Sequence, residues 1–289
     1  MKTSAFESIK QNRVSHQIAE QLRNESQQNS FPEEGTMKKR AAAFFTKLSF
    51  SLIPVMVIVF AVAIGSQPAF GQGAAKEELK INPTRTALLV LHMMNEQLNY
   101  KQGVSNYGPE FAEENAKLGI IPKTKAAIEA SRAAGVMVIH VRMEYRPGYP
   151  EQPPPAEQIP GARRTRSQGF YRAGSWNVQI VDQLKPTEKD PDIVVVNHSI
   201  SGFGYNELDQ ILRSNNIRWL VIAGLSTETV VTCTTIDARI KGYANYILRD
   251  CCNSRLPGGQ EMFMTKVLPS YAVITDSNEY IEALKKIKK

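Results

Sequence analysis

Three kinds of side chain in this sequence could do chemistry. Cys233, Cys251 and Cys252 are its cysteines, and a thiol that is partly thiolate attacks carbonyl carbon. His92, His140 and His198 are the histidines of residues 72–289, and imidazole exchanges protons near neutral pH. Arg142, Glu144 and Arg146 occupy alternate positions; they could orient an anionic ligand, or form ion pairs along a rim. No metal site is expected. The histidines fall in or just after three different predicted strands, and alternation sets Asn197 and His198 on opposite faces, so the imidazoles do not converge. There is no GxSxG elbow, no GxxxxGK[ST] phosphate loop, and no GxGxxG after Leu91. Hydrolysis by those routes and dinucleotide binding are disfavoured, and no cofactor is expected.

The elements that must position these groups alternate. Short β-branched runs at 87–91, 136–141, 193–196, 219–223, 246–248 and 272–274 predict strands. Helical patterns at 111–134, with a break near Ile121-Pro122, and at 177–184, 205–214, 227–241, 259–267 and 279–287 lie between or after them. Strands apolar on both faces and separated by helix-length crossovers predict an α/β fold: a doubly wound, mainly parallel six-stranded sheet with helices on both faces. Ligands of such a sheet bind beyond the carboxyl ends of its strands, which points to His92, Glu144 and Arg146, residues 197–203 and 224–230, and the stretch from Asp250 onward. The Pro-rich and charged segment 144–174 reads as a surface loop, or as a pocket rim or subunit-exchange arm.

Four segments in order carry a resemblance. ALLVLHMMN at the first strand, VIHVRMEYRPGYPE at the second, DIVVVNHSISGF at the third, and GLSTETVVTCTTIDARIKGY from the fourth strand into its helix resemble the isochorismatase-like cysteine hydrolases, across roughly 84–282. The resemblance implies strand order 3-2-1-4-5-6, oligomers, and a catalytic Asp, Lys and Cys. Those three positions map to His92, Asn197 and Val230, so all three are substituted. Valine has no lone pair and asparagine carries no charge. Cys233, three residues past Val230, sits roughly 4 to 5 Å further along the helix; it is a displaced nucleophile or, on the better reading, a small buried side chain. What the resemblance leaves in place is an anion-holding helix start near Ser226 and Val230, with a cis bond expected between Leu225 and Ser226. Taken with the strand-end position of Arg142 and Glu144, the ligand contacts expected are Asn95, Arg142, Glu144, Asn197, Phe203, Ser226, Thr227 and Val230. His92 could act as a base, or fill the space of the missing Asp.

Composition sets the outer limits. With 42% hydrophobic and 22% charged residues, a wholly disordered, collagenous or multi-span membrane chain is excluded. The net charge of +7 falls to +4 for residues 72–289, which hold 27 Lys/Arg against 23 Asp/Glu; no nucleic-acid footprint is expected. Residues 1–36 read as a polar tail or a misassigned start. Residues 37–71 carry Lys38, Lys39, Arg40 and Lys47 ahead of an apolar run at 50–65, then Ala69 and Gly71 spaced as a signal-peptidase site. Initiation at Met37 would give an export signal; an uncleaved single-pass anchor, with membrane contact only through 50–65, or an accidental apolar segment are the alternatives. Residues 72–83 read as a linker and 84–289 as the domain, in the periplasm or secreted. Three functions compete: a homologue without cysteine chemistry that binds a small carboxylate or a partner, a hydrolase using His92 and water on an amide or enol ether, and a structural homo-oligomer. Whether the chain is an enzyme stays open on sequence.

Overall fold

The computed structural model describes residues 79–101, 105–154, 157 and 160–287, all within one unit, Lys76–Lys289. The polar tail and the targeting run of residues 1–71 lie outside the described residues. Six strands form one sheet: β1 (Thr86–Leu91), β2 (Met137–Met143), β3 (Ile193–Asn197), β4 (Trp219–Leu225), β5 (Ala244–Asn253) and β6 (Val273–Thr275). Their order is β3-β2-β1-β4-β5-β6, and every pairing is parallel. This is the doubly wound sheet expected from the alternation of strand and helix patterns.

Burial explains why the strands read as continuous apolar runs. All six residues of β1 are buried, because both faces of the sheet are covered. On one face Leu88, Val90, Val138, Val221 and Leu248 meet Phe111 of α2 (Pro109–Leu118), Ile128 of α3 (Ile120–Ala134), and Tyr280 and Leu284 of α8 (Ser277–Ile287). On the other, Leu89, Leu91, Ile139, Val195 and Ile222 meet Leu208 and Leu212 of α5 (Leu208–Ser214) and Ala238 of α6 (Thr232–Ile240). Each such side chain contributes about 1.5 to 3 kcal/mol by leaving water. A short helix, α1 (Asn95–Leu98), follows β1; α4 (Pro160–Gln168) lies inside the Pro-rich segment and α7 (Gly259–Met262) follows β5.

Several expectations need correction. Residues 177–184 do not form a helix: a 3-10 turn covers Trp176–Val178, and Ile180 then makes an antiparallel bridge to Met94, which requires extended backbone. The break before α3 falls at Gly119, whose φ of 68° closes α2, and Pro122 is accommodated in the first turn of α3. The helix after β4 opens with a π turn over Thr227–Val231. The transmembrane reading is also corrected for the domain: among the described residues no helix is long and apolar enough to cross a membrane. The apolar run that prompted it is outside them.

Candidate functional site

The carboxyl end of β1 delivers His92 in a left-handed conformation, φ 51°, fixed by its N–H donating to the carbonyl of Val141 at 2.8 Å. The ring is buried, with Nε2 3.2 Å from Asn197 Oδ1. Asn197 ends β3, fully buried, and its amide nitrogen donates to Ser199 O at 2.9 Å and Ser201 O at 2.7 Å. Both amide hydrogens are therefore committed, Oδ1 must accept, and His92 carries its proton on Nε2. Burial pushes the His92 pKa down to about 4, partly opposed by the bond to Asn197. At neutral pH this is a neutral pair in which the Asn197 amide is fully committed within the protein.

The carboxyl end of β4 lies alongside. Gly224 pairs with Leu91, and a Cβ on it would sit 2.7 Å from Leu91 Cβ and 2.9 Å from Leu91 O, so only glycine lets the two strands approach here. The peptide bond between Leu225 and Ser226 is cis, as the family resemblance implied. Ser226 O then accepts from the N–H groups of both Thr229 and Val231 at 3.3 Å, bypassing Val230 N–H between them. The Val230 side chain is 1% exposed and belongs to the same core cluster as Leu91 and Val231. Cys233 is half-buried, and burial followed by the nearby Asp237 pushes its thiol pKa up. A thiol held protonated is a poor nucleophile.

Beyond this floor the structure adds a group that lies in the stretch from Asp250 onward but was not singled out from sequence. Arg255, two residues past the end of β5, donates through Nε to Glu228 Oε1 at 3.1 Å, and its guanidinium lies 4.6 Å from the centroid of the Tyr107 ring. Glu228 is almost buried, whereas the Arg255 side chain is 43% exposed. Among the described residues, its two terminal nitrogens meet no hydrogen-bond acceptor. Glu96 was missed as well. It is 1% exposed and accepts from Asn177 Nδ2 at 2.7 Å and from the backbone N–H groups of Asn106 and Tyr107. Burial raises its pKa, with those three donors opposing. Glu96 thereby holds the loop that presents Tyr107. The signal for Arg255 is its place just past a strand end, where ligands of such a sheet bind; Glu96 lacks even that.

The remaining candidates scatter. Asn95 donates to Trp176 O at 2.9 Å and accepts from Asn99 at 2.7 Å, tying α1 to the turn at 176–178. Thr227 Oγ1 donates to Gln260 Oε1 at 2.8 Å, and Ser226 shares a 2.8 Å contact with the Thr229 hydroxyl. Phe203 stacks on Tyr243, centroids 6.0 Å apart, beneath Lys241. Arg142 and Glu144 form a bidentate ion pair. They line a groove of about 380 Å³ with Val178, Gln179, Lys185 and Val194; Arg142 and Val194 stand on the sheet face opposite Asn197. His140 bonds Asp192 at 3.0 Å and His198 bonds Glu144 O at 2.6 Å, so the three histidines have three separate partners. The segment 144–174 contributes a third apolar cluster: Tyr145, Tyr149, Phe170 and Tyr171 pack against Met94, Met143 and Val178.

Comparison with known proteins follows the same outline. A family profile described as the isochorismatase domain matches residues 86–279. The chain is similar to the ureidoacrylate amidohydrolase RutB of Klebsiella pneumoniae, 29% identical over 73% of this chain and 92% of that protein. With RutB of Pseudomonas savastanoi it is 31% identical over 66% of this chain and 80% of that protein. Among solved structures, a cysteine hydrolase from Pseudomonas syringae superposes with TM-score 0.61 at 21% identity, over 74% of this chain and 98% of that one. An N-carbamoylsarcosine amidase from Thermoplasma acidophilum superposes with TM-score 0.53 at 25% identity, over 67% and 97%.

Proposed function

This chain belongs to the isochorismatase family, and on that premise we propose that it binds a small carboxylate beyond β1, β4 and β5 without cysteine-dependent amide hydrolysis. One observation carries the reading: the His92–Asn197 pair, 3.2 Å apart, buried, with every Asn197 hydrogen spent inside the protein. A nucleophilic thiol needs a group to take its proton and a charge to poise it. This pair is neutral, and the position that aligns with the family's nucleophile is Val230, buried in the core with Leu91 and Val231. His92 as an acid finds no support either, since a pKa near 4 leaves it unprotonated at pH 6.

The ligand class follows from Arg255. Glu228 engages Nε and the Tyr107 ring lies against the guanidinium, which leaves the two terminal nitrogens of a side chain 43% exposed as a planar pair of donors of the kind that grips a carboxylate with two hydrogen bonds. Ureidoacrylate, named in the amidohydrolases similar to this chain, is such a carboxylate. Calorimetric titration with small unsaturated and ureido carboxylates tests the proposal. Arg255→Leu should weaken binding about 10- to 150-fold, the effect of losing about 1.5 to 3 kcal/mol of charge-assisted hydrogen bonding. Equal binding by wild type and variant would remove Arg255 from the site; no binding by wild type would defeat the carboxylate reading.

We also propose export. Four basic residues precede the apolar run at 50–65, and small residues follow at 69 and 71. Fractionation and N-terminal sequencing should find a product beginning near Gln72 outside the cytoplasm; a full-length soluble cytoplasmic chain would refute this.

A further inference from the structure

Charge in the domain is unevenly placed. Residues 142–172 hold six of the thirteen arginines of residues 72–289 and none of its fourteen lysines. The same stretch has only Glu144, Glu151 and Glu157 as acids, so it carries +3 of the domain's +4. Arg142 is neutralised by Glu144 and Arg146 by Glu151. Arg163, Arg164, Arg166 and Arg172 have no carboxylate within ion-pair distance among the described residues. Arg166 serves the fold, donating to the carbonyls of Gly148 at 3.0 Å and Pro153 at 3.4 Å, so it pins α4 to the loop at 146–153. Arg163, Arg164 and Arg172 are exposed. The backing is firm: Tyr145 bridges Arg172 through the backbone, Tyr149 donates to Phe170 O at 2.8 Å, and Arg164 lies over the Phe170 ring.

We propose that this arginine face, built on α4 and residue 172, docks the domain on an anionic phospholipid surface. Exclusive use of arginine favours oxyanion chemistry, because a guanidinium pairs with a phosphate through two parallel hydrogen bonds. A cluster of cations within reach of an anionic leaflet is attracted by the surface potential, and each one contributes separately. The choice of a bilayer over other polyanions rests on the export reading above: the apolar run at 50–65 ends shortly before the domain begins, so the domain emerges beside a membrane.

The test is co-sedimentation of the full chain with vesicles of phosphatidylcholine alone and with one-third phosphatidylglycerol. Any contribution of the apolar run, or of Lys38, Lys39, Arg40 and Lys47 beside it, is common to wild type and variants, so the arginine face is read from how far each variant lowers the difference between the two compositions. That difference should fall about fivefold for each arginine removed, roughly 100-fold in R163Q/R164Q/R172Q. It should also shrink steeply between 50 and 500 mM salt, roughly a threefold change in Debye length. K117Q/K125Q/K266Q makes the same change in net charge at other exposed sites and should leave the difference intact. Equal binding to both compositions by wild type, or equal losses in the two triple variants with unchanged unfolding midpoints, would overturn the proposal. Tighter binding to a double-stranded DNA oligonucleotide than to the anionic vesicles, at matched phosphate, would overturn the choice of a membrane. Export is judged separately by fractionation: a cytoplasmic chain that still shows the arginine-dependent difference defeats export, not the lipid affinity.

Discussion

Replacing His92 with asparagine should flatten the pH dependence of stability. In the folded chain burial holds the His92 pKa near 4, against an ordinary value of 6.5. The unfolded state therefore binds more protons between these values, and stability falls as pH falls. The contribution is fully present above pH 6.5, is lost progressively through the window, and is gone below pH 4. A shift of this size corresponds to about 3 kcal/mol in total, of which about 2 kcal/mol is already lost at pH 5. The ring is 4% exposed, so little solvent screening reduces the figure. Asparagine tolerates the positive φ of this position and does not titrate. Urea unfolding followed through Trp176 and Trp219 fluorescence at pH 7 and pH 5 gives four free energies. The substitution costs stability at both pH values, but the wild type should lose about 2 kcal/mol more than the variant between them. The lowered carboxyl pKa values at Asp192 and Asp209 are common to both chains and cancel. Parallel losses would show that His92 is protonated in the fold, and the neutral-pair argument would fail with it.

Two further perturbations probe the frame. Gly224→Ala should cost about 1 to 3 kcal/mol by overpacking, since its Cβ meets backbone as well as side chain of Leu91; an unchanged urea midpoint would show that β1 can move aside. Glu96→Gln keeps the volume but turns an amide toward N–H donors that now point at carboxylate oxygens. It should cost about 1 to 3 kcal/mol and speed hydrogen exchange at Asn106 and Tyr107, and unchanged exchange would remove Glu96 as the anchor of that loop.

Much of this architecture was legible in residue order. Six apolar runs and their crossovers define the sheet, because strands buried on both faces leave no polar alternation to confuse the pattern. Legibility ended where tertiary contact overrides local preference. Residues 177–184 have helical periodicity, yet Ile180 is drawn into a bridge with Met94 and Asn177 is spent on Glu96. At the site, the motif spacing located His92, Asn197 and Val230, and the first two do meet. That Arg142 and Glu144 line a separate groove was equally a matter of strand alternation, although both lie near the end of β2. Arg255 was reached only as part of the stretch from Asp250 onward, because a bulge between Ile222 and Gly224 shifts the pairing of β5 and carries that strand five residues past its apolar core, to Asn253. No local pattern announces such an extension.

On the function proposed above, a family member with a neutral His92–Asn197 pair and Val230 should retain a carboxylate site but have no cysteine chemistry. Ammonia release from ureidoacrylate by purified chain, measured beside Cys233→Ala, tests it most directly. Both proteins should match the enzyme-free rate while the wild type still binds the carboxylate by calorimetry. Turnover by the wild type that disappears in Cys233→Ala, with a substrate-derived adduct on that sulfur, would contradict the account.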